Sequence, residues 1–433
     1  MKQLSRLVSA ILSIMMLLTA TCVFAESYPT KNPEEYSGEL EYWVWGNYEE
    51  RCTAPFFEKY PNIKINFVKV GNAEYFTKLQ TAVASGGDVP DIGNLEQTNR
   101  LALLDLNCWE RLDADPYNLD TSLLVDWSLP LMTNSKGEIT AVQFDNCVGG
   151  IAYNRQNAEL YYGISEVEDM EAKFQTIDDY IEASKVFKDG DGSHYMFGSV
   201  YDAFYAFYGL YASEPNINDD GTLNFEANIL PALQIVEQLV ANNACGQLSA
   251  WTPAWSASFS TDYATFFPAV TWMVYDNMIP NDPDAVDKYG LITPPGGGYS
   301  WGGTAMAISS SSPQENKEMA WEFIRWFCLS DEGSQSFLDN NHAPTLYTPF
   351  YESDAFTTYE DVAFGGQNTL AKYMEISQHP NTQVRPMTKY DPTVASILEG
   401  TIFNEMEKGM SAEDALELLT TEVLSRLPEL KRA

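Results

Sequence analysis

Ten tryptophans and 25 tyrosines in 433 residues, several set beside glycine or at the end of an apolar run, are the most informative side chains of this chain. A flat ring offers its face to C–H groups, while carboxylates, planar amides and Arg make directional hydrogen bonds around a rim. Together these groups suit a polyhydroxylated ligand such as a sugar. Trp45 closes the run Glu41-Tyr42-Trp43-Val44-Trp45, and Asn47 stands just past Gly46. Trp43 and Trp45 are two residues apart and share one face of a strand, so at least one of them is expected in a core. Asp91 and Glu96 flank a further apolar run and supply carboxylates that accept paired hydrogen bonds from neighbouring hydroxyls. Trp301 follows Pro294-Pro295-Gly296-Gly297-Gly298 and precedes Gly302-Gly303, where a large indole does little for local backbone stability. The plainer alternatives are a core role for Trp45 and solvated loop acids at Asp91 and Glu96.

Other chemistry finds less support. The chain has no phosphate-binding Gly-rich loop with Lys, no His-Glu-x-x-His, and no Ser, His and Asp in an order that suggests a triad. His194, His342 and His379 are far apart, and Asp189-Gly190-Asp191-Gly192-Ser193 begins like a calcium loop but has Val200 where the bidentate Glu belongs, so it reads as a turn. No metal and no cofactor is expected. Paired carboxylates, as in an exported glycan-degrading enzyme, remain the rival from a different class, because any two of 61 acids can meet in space. With 25 basic against 61 acidic residues the formal charge is −36, which argues against nucleic acid as a partner and against steering of anionic ligands.

The elements that must position these residues follow from periodicity. Glu41–Gly46 reads as a strand, and residues 53–60 as a helix with Thr53 as N-cap, Pro55 near its start and Pro61 as its stop. Residues 63–70 alternate apolar with polar, and 74–84 carry Tyr75, Phe76, Leu79 and Val83 at helical spacing before Gly86-Gly87. With Val89-Pro90-Asp91-Ile92 this makes a β-α-β-α-β run whose strand ends open toward one edge of a parallel sheet, where open α/β sheets bind ligands. Helices are further expected over 177–187 with Thr176 as cap, 229–241, 315–327, and from Ala412 after Ser411. A chain this long exceeds the ~250 to 300 residues at which single cores stop growing, so two lobes are expected.

The strand with Trp43-Val44-Trp45, the block Phe57-Glu58-Lys59-Tyr60-Pro61-Asn62-Ile63-Lys64-Ile65, and Ala84-Ser85-Gly86-Gly87-Asp88-Val89-Pro90-Asp91, in that order and spacing, resemble the opening of the carbohydrate-type extracellular solute-binding proteins of ABC importers, the group that includes maltose-binding protein. The likeness continues through Gly150-Ile151-Ala152-Tyr153-Asn154, Phe267 to Tyr275, and Trp301 to Phe327, over most of the chain. The resemblance implies a two-lobed α/β periplasmic-binding fold of type II, about three hinge crossings, and a ligand in the interlobe cleft. It implies a monomeric binder that delivers a neutral carbohydrate, an oligosaccharide, to a membrane permease without chemistry; a binder of a polyamine or a peptide is the rival within the class. It also points to Tyr153 at the start of the second lobe, to Trp272 over the sugar, and to Arg385 and Tyr390 in the C-terminal segment. Pro268 and Thr271 depart from the family's more flexible pattern around Trp272.

Residues 1–25 read as an export signal: Lys2 and Arg6 precede an apolar segment from Leu7 to Leu18, and Val23-Phe24-Ala25 fits cleavage after Ala25. The alternative is lipidation of Cys22 on the outer face of the membrane, with Thr21 departing from the usual Gly or Ala. Residues 26–37 form a polar lead, 38–145 and 303–342 the first lobe, and 146–302 and 343–433 the second, with passages at 144–150, 291–303 and 343–348. Cys52, Cys108, Cys147, Cys245 and Cys328 read mostly as buried small hydrophobes, with one or two disulfides as the alternative.

Overall fold

The computed structural model describes residues 31–87, 89–190 and 192–433; the export signal, Cys22, the start of the polar lead and Asp191 of the acidic turn lie outside them. Among the described residues ten strands run in chain order as β1 (Gly38–Val44), β2 (Ile63–Lys69), β3 (Ile92–Glu96), β4 (Val142–Gln143), β5 (Val148–Asn154), β6 (Tyr195–Phe197), β7 (Ala264–Ala269), β8 (Tyr289–Ile292), β9 (Tyr299–Ser300) and β10 (Thr304–Ile308). They make two sheets. The first has the order β2-β1-β3-β10-β4 and the second β6-β7-β5-β8, with β9 paired to β5.

The first sheet grows from the β-α-β-α-β run. β1 lies parallel to β2, from Gly38 opposite Ile63 to Val44 opposite Lys69, and parallel to β3, with Tyr42 opposite Ile92. Period-two alternation sends Leu40, Tyr42 and Val44 into the main core of this lobe and Trp43 to a second core with Tyr75 and Leu79 on the other face. The helix Gln314–Cys328 covers the first of these faces with Met319, Phe323, Ile324 and Phe327. Thr53 stands at the N-cap of the helix Ala54–Lys59, but its hydroxyl donates to the Glu50 carbonyl at 2.8 Å and does not cap the helix. Where the β-region cap geometry exists the expected bonds form: Thr176 accepts from the amide of Asp179, and Ser411 from that of Asp414.

The second sheet is built around β5, buried along its whole length and antiparallel to β7 and β8. The helix Val200–Phe207 is buried at all eight positions, apolar but for Asp202, whose carboxylate accepts from the Ser199 hydroxyl at 2.7 Å and the Trp255 indole N–H at 3.2 Å. It packs with Leu230–Ala241 and Ala412–Arg426 in the core of this lobe.

The chain passes from the first sheet to the second through Phe144–Cys147, between β4 and β5, and returns through Trp301–Gly303, between β9 and β10. The third passage is displaced from its expected place at 343–348. Ala343, Leu346, Phe350 and Phe356 stay in the core of the first lobe, Ala363 and Phe364 join a core of the second, and the helix Thr369–Gln378 then packs on both, with Leu370 and Met374 in the first and Tyr373 in the second. Burial of Leu346 and the bridge of Leu124 to Tyr347 hold the earlier segment on the first lobe. All five described cysteines are free and buried. Among the described residues no helix is long and apolar enough to cross a membrane, and no group of three or more His, Cys, Asp or Glu is placed to hold a metal ion.

Candidate functional site

A cavity of about 590 Å³ opens between the two sheets, at the carboxyl ends of β1 and β3. Trp45 and Tyr48 reach it from the turn after β1, and Glu96 and Gln97 from the end of β3. Because β10 is antiparallel to β3, its first residue Thr304 lies opposite Glu96, which brings the passage Trp301-Gly302-Gly303 to the same edge.

The second lobe contributes an aromatic wall. Trp301 stacks on Tyr205 with ring centroids 4.8 Å apart and planes 5° from parallel. Trp272 meets Trp301 edge to face at 5.0 Å, and its indole nitrogen donates to the Trp301 carbonyl at 3.1 Å. Trp251, 49% exposed, stacks on Trp272 at 6.1 Å. Only glycine fits beside this group: Gly302 has φ +89°, and a Cβ there would stand 2.7 Å from the Trp272 indole nitrogen.

Polar groups frame the rings. Asp145 accepts from the Thr304 amide at 2.8 Å and from the Cys147 thiol at 3.2 Å, and burial raises its pKa above the usual carboxylate range. Behind it, buried Arg100 donates to the carbonyls of Leu95 and Gly303, which fixes the end of β3 against the passage into β10. Glu399 accepts from the Tyr205 hydroxyl at 2.7 Å and is likewise raised by burial. Arg385, the one Arg or Lys among the described lining residues, is committed to Asp391 at 2.5 Å and lies over the Tyr208 ring. At the mouth, Arg51 of the first lobe pairs with Asp276 of the second at 3.0 Å and donates to Asn341 at 2.8 Å.

Of the residues singled out in the sequence, Trp45, Glu96, Trp272, Trp301 and Arg385 line this cavity. The other four do not. Asn47 is exposed beyond the rim, because Trp45 and Tyr48 on either side turn inward in its place. Asp91 stands before the amino end of β3, at the opposite edge of the sheet. Its carboxylate accepts from the Glu41 amide at 2.9 Å, from Ser312 at 2.6 Å and from Asn316 at 3.1 Å, so it ties strands to the helix Gln314–Cys328. Tyr153 is fully buried because β5 is covered on both faces, and its hydroxyl donates to the Ser165 carbonyl at 2.7 Å. Tyr390 precedes the helix Asp391–Ile397 and packs half-buried against the second-lobe core, with Lys389 over its ring.

The sequence reading missed Gln97, Asp145, Tyr201, Tyr205, Trp251, Asp276 and Glu399, all of which line the cavity. Tyr201 and Tyr205 are four apart in a helix and carried a signal, but a helix apolar at every position except Asp202 reads as core. Asp276 lies in a single π-helical turn, Val274–Met278, a distortion frequent at functional sites that nothing in local composition announces.

Three comparisons bear on this geometry. The profile of the family described as "Bacterial extracellular solute-binding protein" matches residues 52–363. A lactose-binding protein of Rhizobium radiobacter is 25% identical over 406 residues, spanning 86% of this chain and 87% of that protein. A solved structure of an extracellular solute-binding protein of family 1 superposes with a TM-score of 0.75 at 19% identity, covering 89% of this chain and 98% of that one. The galacto-N-biose/lacto-N-biose I-binding protein of an ABC transporter of Bifidobacterium longum, in complex with lacto-N-biose, does so at 0.70 and 17% identity, covering 92% and 99%. At such identities the structural likeness is one of fold.

Proposed function

This chain belongs to the bacterial extracellular solute-binding protein family, and from that premise we propose that it captures a neutral carbohydrate, an oligosaccharide, outside the cytoplasmic membrane and hands it to an ABC permease. The observation that carries this reading is the wall of Trp301, Tyr205, Trp272 and Trp251 facing polar groups of the first lobe across one cavity. Rings take the C–H faces of a sugar, and carboxylates and amides take its hydroxyls. About 590 Å³ is within the ~300 to 1,000 Å³ usual for small-molecule sites. An anionic ligand is disfavoured because Arg385 is already paired with Asp391. The named relatives, one lactose-binding and one holding lacto-N-biose, support the same substrate class.

Binding proceeds without chemical change. The lobes close as near-rigid bodies about Phe144–Cys147, Trp301–Gly303 and the stretch after Phe356, and the closed form is the one the permease recognises. Export is by cleavage after Ala25, and the protein works free or, by the alternative route, tethered at Cys22. A second reading, a polyamine ligand, draws on Glu96, Asp145, Asp276, Asp391 and Glu399, the carboxylates around the cavity.

Thermal denaturation of the protein with lactose, lacto-N-biose, spermidine or a short peptide separates the readings. Sugar at ~100 times its dissociation constant adds about 2.7 kcal/mol of stability, and chromatography of the mixture recovers the sugar intact. Stabilisation by spermidine alone overturns the carbohydrate reading, and release of monosaccharides overturns the non-catalytic one.

A further inference from the structure

Two polar atoms on the first-lobe wall have no partner among the described residues although both are withdrawn from the open surface: the indole Nε1 of Trp45 and the amide Oε1 of Gln97. Both side chains line the cavity, and Gln97 is only 4% exposed. Buried polar atoms are nearly always paired, and of the unpartnered ones among the described residues these two are the ones on the cavity wall, where a ligand can pair them. Gln97 is also held in place. Its backbone N–H donates to the Gly303 carbonyl at 3.0 Å, and its side-chain Nε2 donates to Ser300 Oγ at 3.4 Å. The amide therefore reaches from the end of β3 to the strand that leads into the Trp301–Gly303 passage, and its carbonyl oxygen is the atom left over.

We propose, resting on the carbohydrate reading, that Gln97 and Trp45 are the specificity-determining pair of the first lobe. Gln97 Oε1 accepts the hydrogen of one sugar hydroxyl, and Trp45 Nε1 donates to the oxygen of a hydroxyl on the same unit. The unit seated beside the Trp301–Gly303 passage is then neutral and carries unsubstituted hydroxyls. A hydroxyl both donates and accepts and so satisfies an orphan acceptor and an orphan donor together, whereas an ammonium group donates only and leaves the indole N–H unpaired. The pair selects against a polyamine for that reason, even though carboxylates line the same cavity.

The test is calorimetric titration of the full chain with lactose, with lacto-N-biose and with the monodeoxy derivatives of each. Gln97→Met, close in shape but without an acceptor, binds the preferred sugar about tenfold more weakly, and Trp45→Phe, which removes the N–H, weakens it several-fold. One deoxy derivative loses about tenfold against the wild type and nothing further against Gln97→Met, while Gln97→Glu, which keeps an acceptor, restores the discrimination. A purely structural Gln97 would weaken every derivative equally, and that result overturns the proposal. So does a Gln97→Met protein whose affinity stays within about twofold of the wild type. If Gln97→Met does not fold, the wild-type deoxy series decides, and the proposal falls if no single hydroxyl is worth more than about twofold. A wild type that binds neither sugar overturns the carbohydrate reading itself, and this inference with it.

Discussion

On the second-lobe side of the cleft, Trp301, Tyr205, Trp272 and Trp251 touch one another ring to ring, whereas on the first-lobe side Trp45 and Gln97 present an N–H and a carbonyl with no partner among the described residues. The aromatic wall is packed before any ligand arrives, so a sugar face landing on it orders little that is not already ordered. The polar wall keeps the Trp45 N–H and the Gln97 carbonyl oxygen available to a ligand. Contact area therefore comes from one lobe and direction from the other, and a ligand has to touch both to gain both. This coupling is what makes closure of the lobes selective, since a ligand shifts an equilibrium only by its differential affinity for the two states.

The largest effect is expected from breaking the aromatic wall. Trp301→Ala removes the ring stacked on Tyr205 and the one that Trp272 abuts, and should weaken sugar binding by about 2 kcal/mol or more with a modest fall in melting temperature. Calorimetry on the folded variant checks this, and unchanged affinity would remove the second lobe from the site.

The polar character of the first lobe extends behind its wall to Glu49, which is buried and accepts from the Asn94 amide at 2.6 Å, while Asn94 in turn accepts from Tyr42. Burial, opposed by the Asn94 bond, raises the Glu49 pKa from its ordinary 4.5 to about 7. The unfolded chain then releases this proton at lower pH than the folded one does. Stability from this group is full below about 4.5, falls as pH rises toward 7, and stays lower above that. Glu49→Gln should flatten the slope and gain on the order of 1 to 3 kcal/mol at pH 8 with little gain at pH 4, read by urea denaturation at both values. A variant no more stable at pH 8 would contradict a buried carboxylate held against its charge.

Asp91 sharpens the contrast from the opposite edge of the same sheet. Asp91→Ala should cost about 1 to 2 kcal/mol of stability through the lost bonds to Glu41, Ser312 and Asn316, with sugar affinity unchanged. A selective loss of affinity would return this acid to the site.

The smallest effect belongs to the ion pair that links the two walls. The Arg51 and Asp276 side chains are 29% and 20% exposed, so Arg51→Ala should cost less than about 1 kcal/mol. It should appear mainly as faster ligand release and a slightly larger radius of gyration of the unliganded protein in small-angle scattering. No change in either would mean that the pair does not hold the lobes together.

Legibility in the sequence followed the range of the physics. The β-α-β-α-β run was readable because alternation in Ile63–Lys69 and helical spacing in Asn72–Ser85 are local, and each element needs only its own residues to declare itself. Trp301 was readable because glycines gather around it, and Trp272 through the family resemblance of the segment Phe267 to Tyr275. Asp91 misled because a carboxylate beside a strand looks the same at either end, and only the sheet shows which end faces the cleft. Tyr153 misled because a strand buried on both faces leaves no alternation to separate inside from site. Tyr201 and Tyr205 were hidden by neighbours equally apolar, so that burial in the core and exposure to the cavity had one composition.

The sequence by itself determined the family resemblance, the alternation of strands and helices, the strong negative charge and the supply of aromatic rings, all of them properties of composition or short spacing. Only the tertiary structure decided which rings meet, as Tyr205 meets Trp301, and which charges span the cleft, as Arg51 reaches Asp276 across 225 residues of chain. Such contacts depend on how two separately packed lobes are set against each other about their passages, and no local pattern of residues encodes that distance.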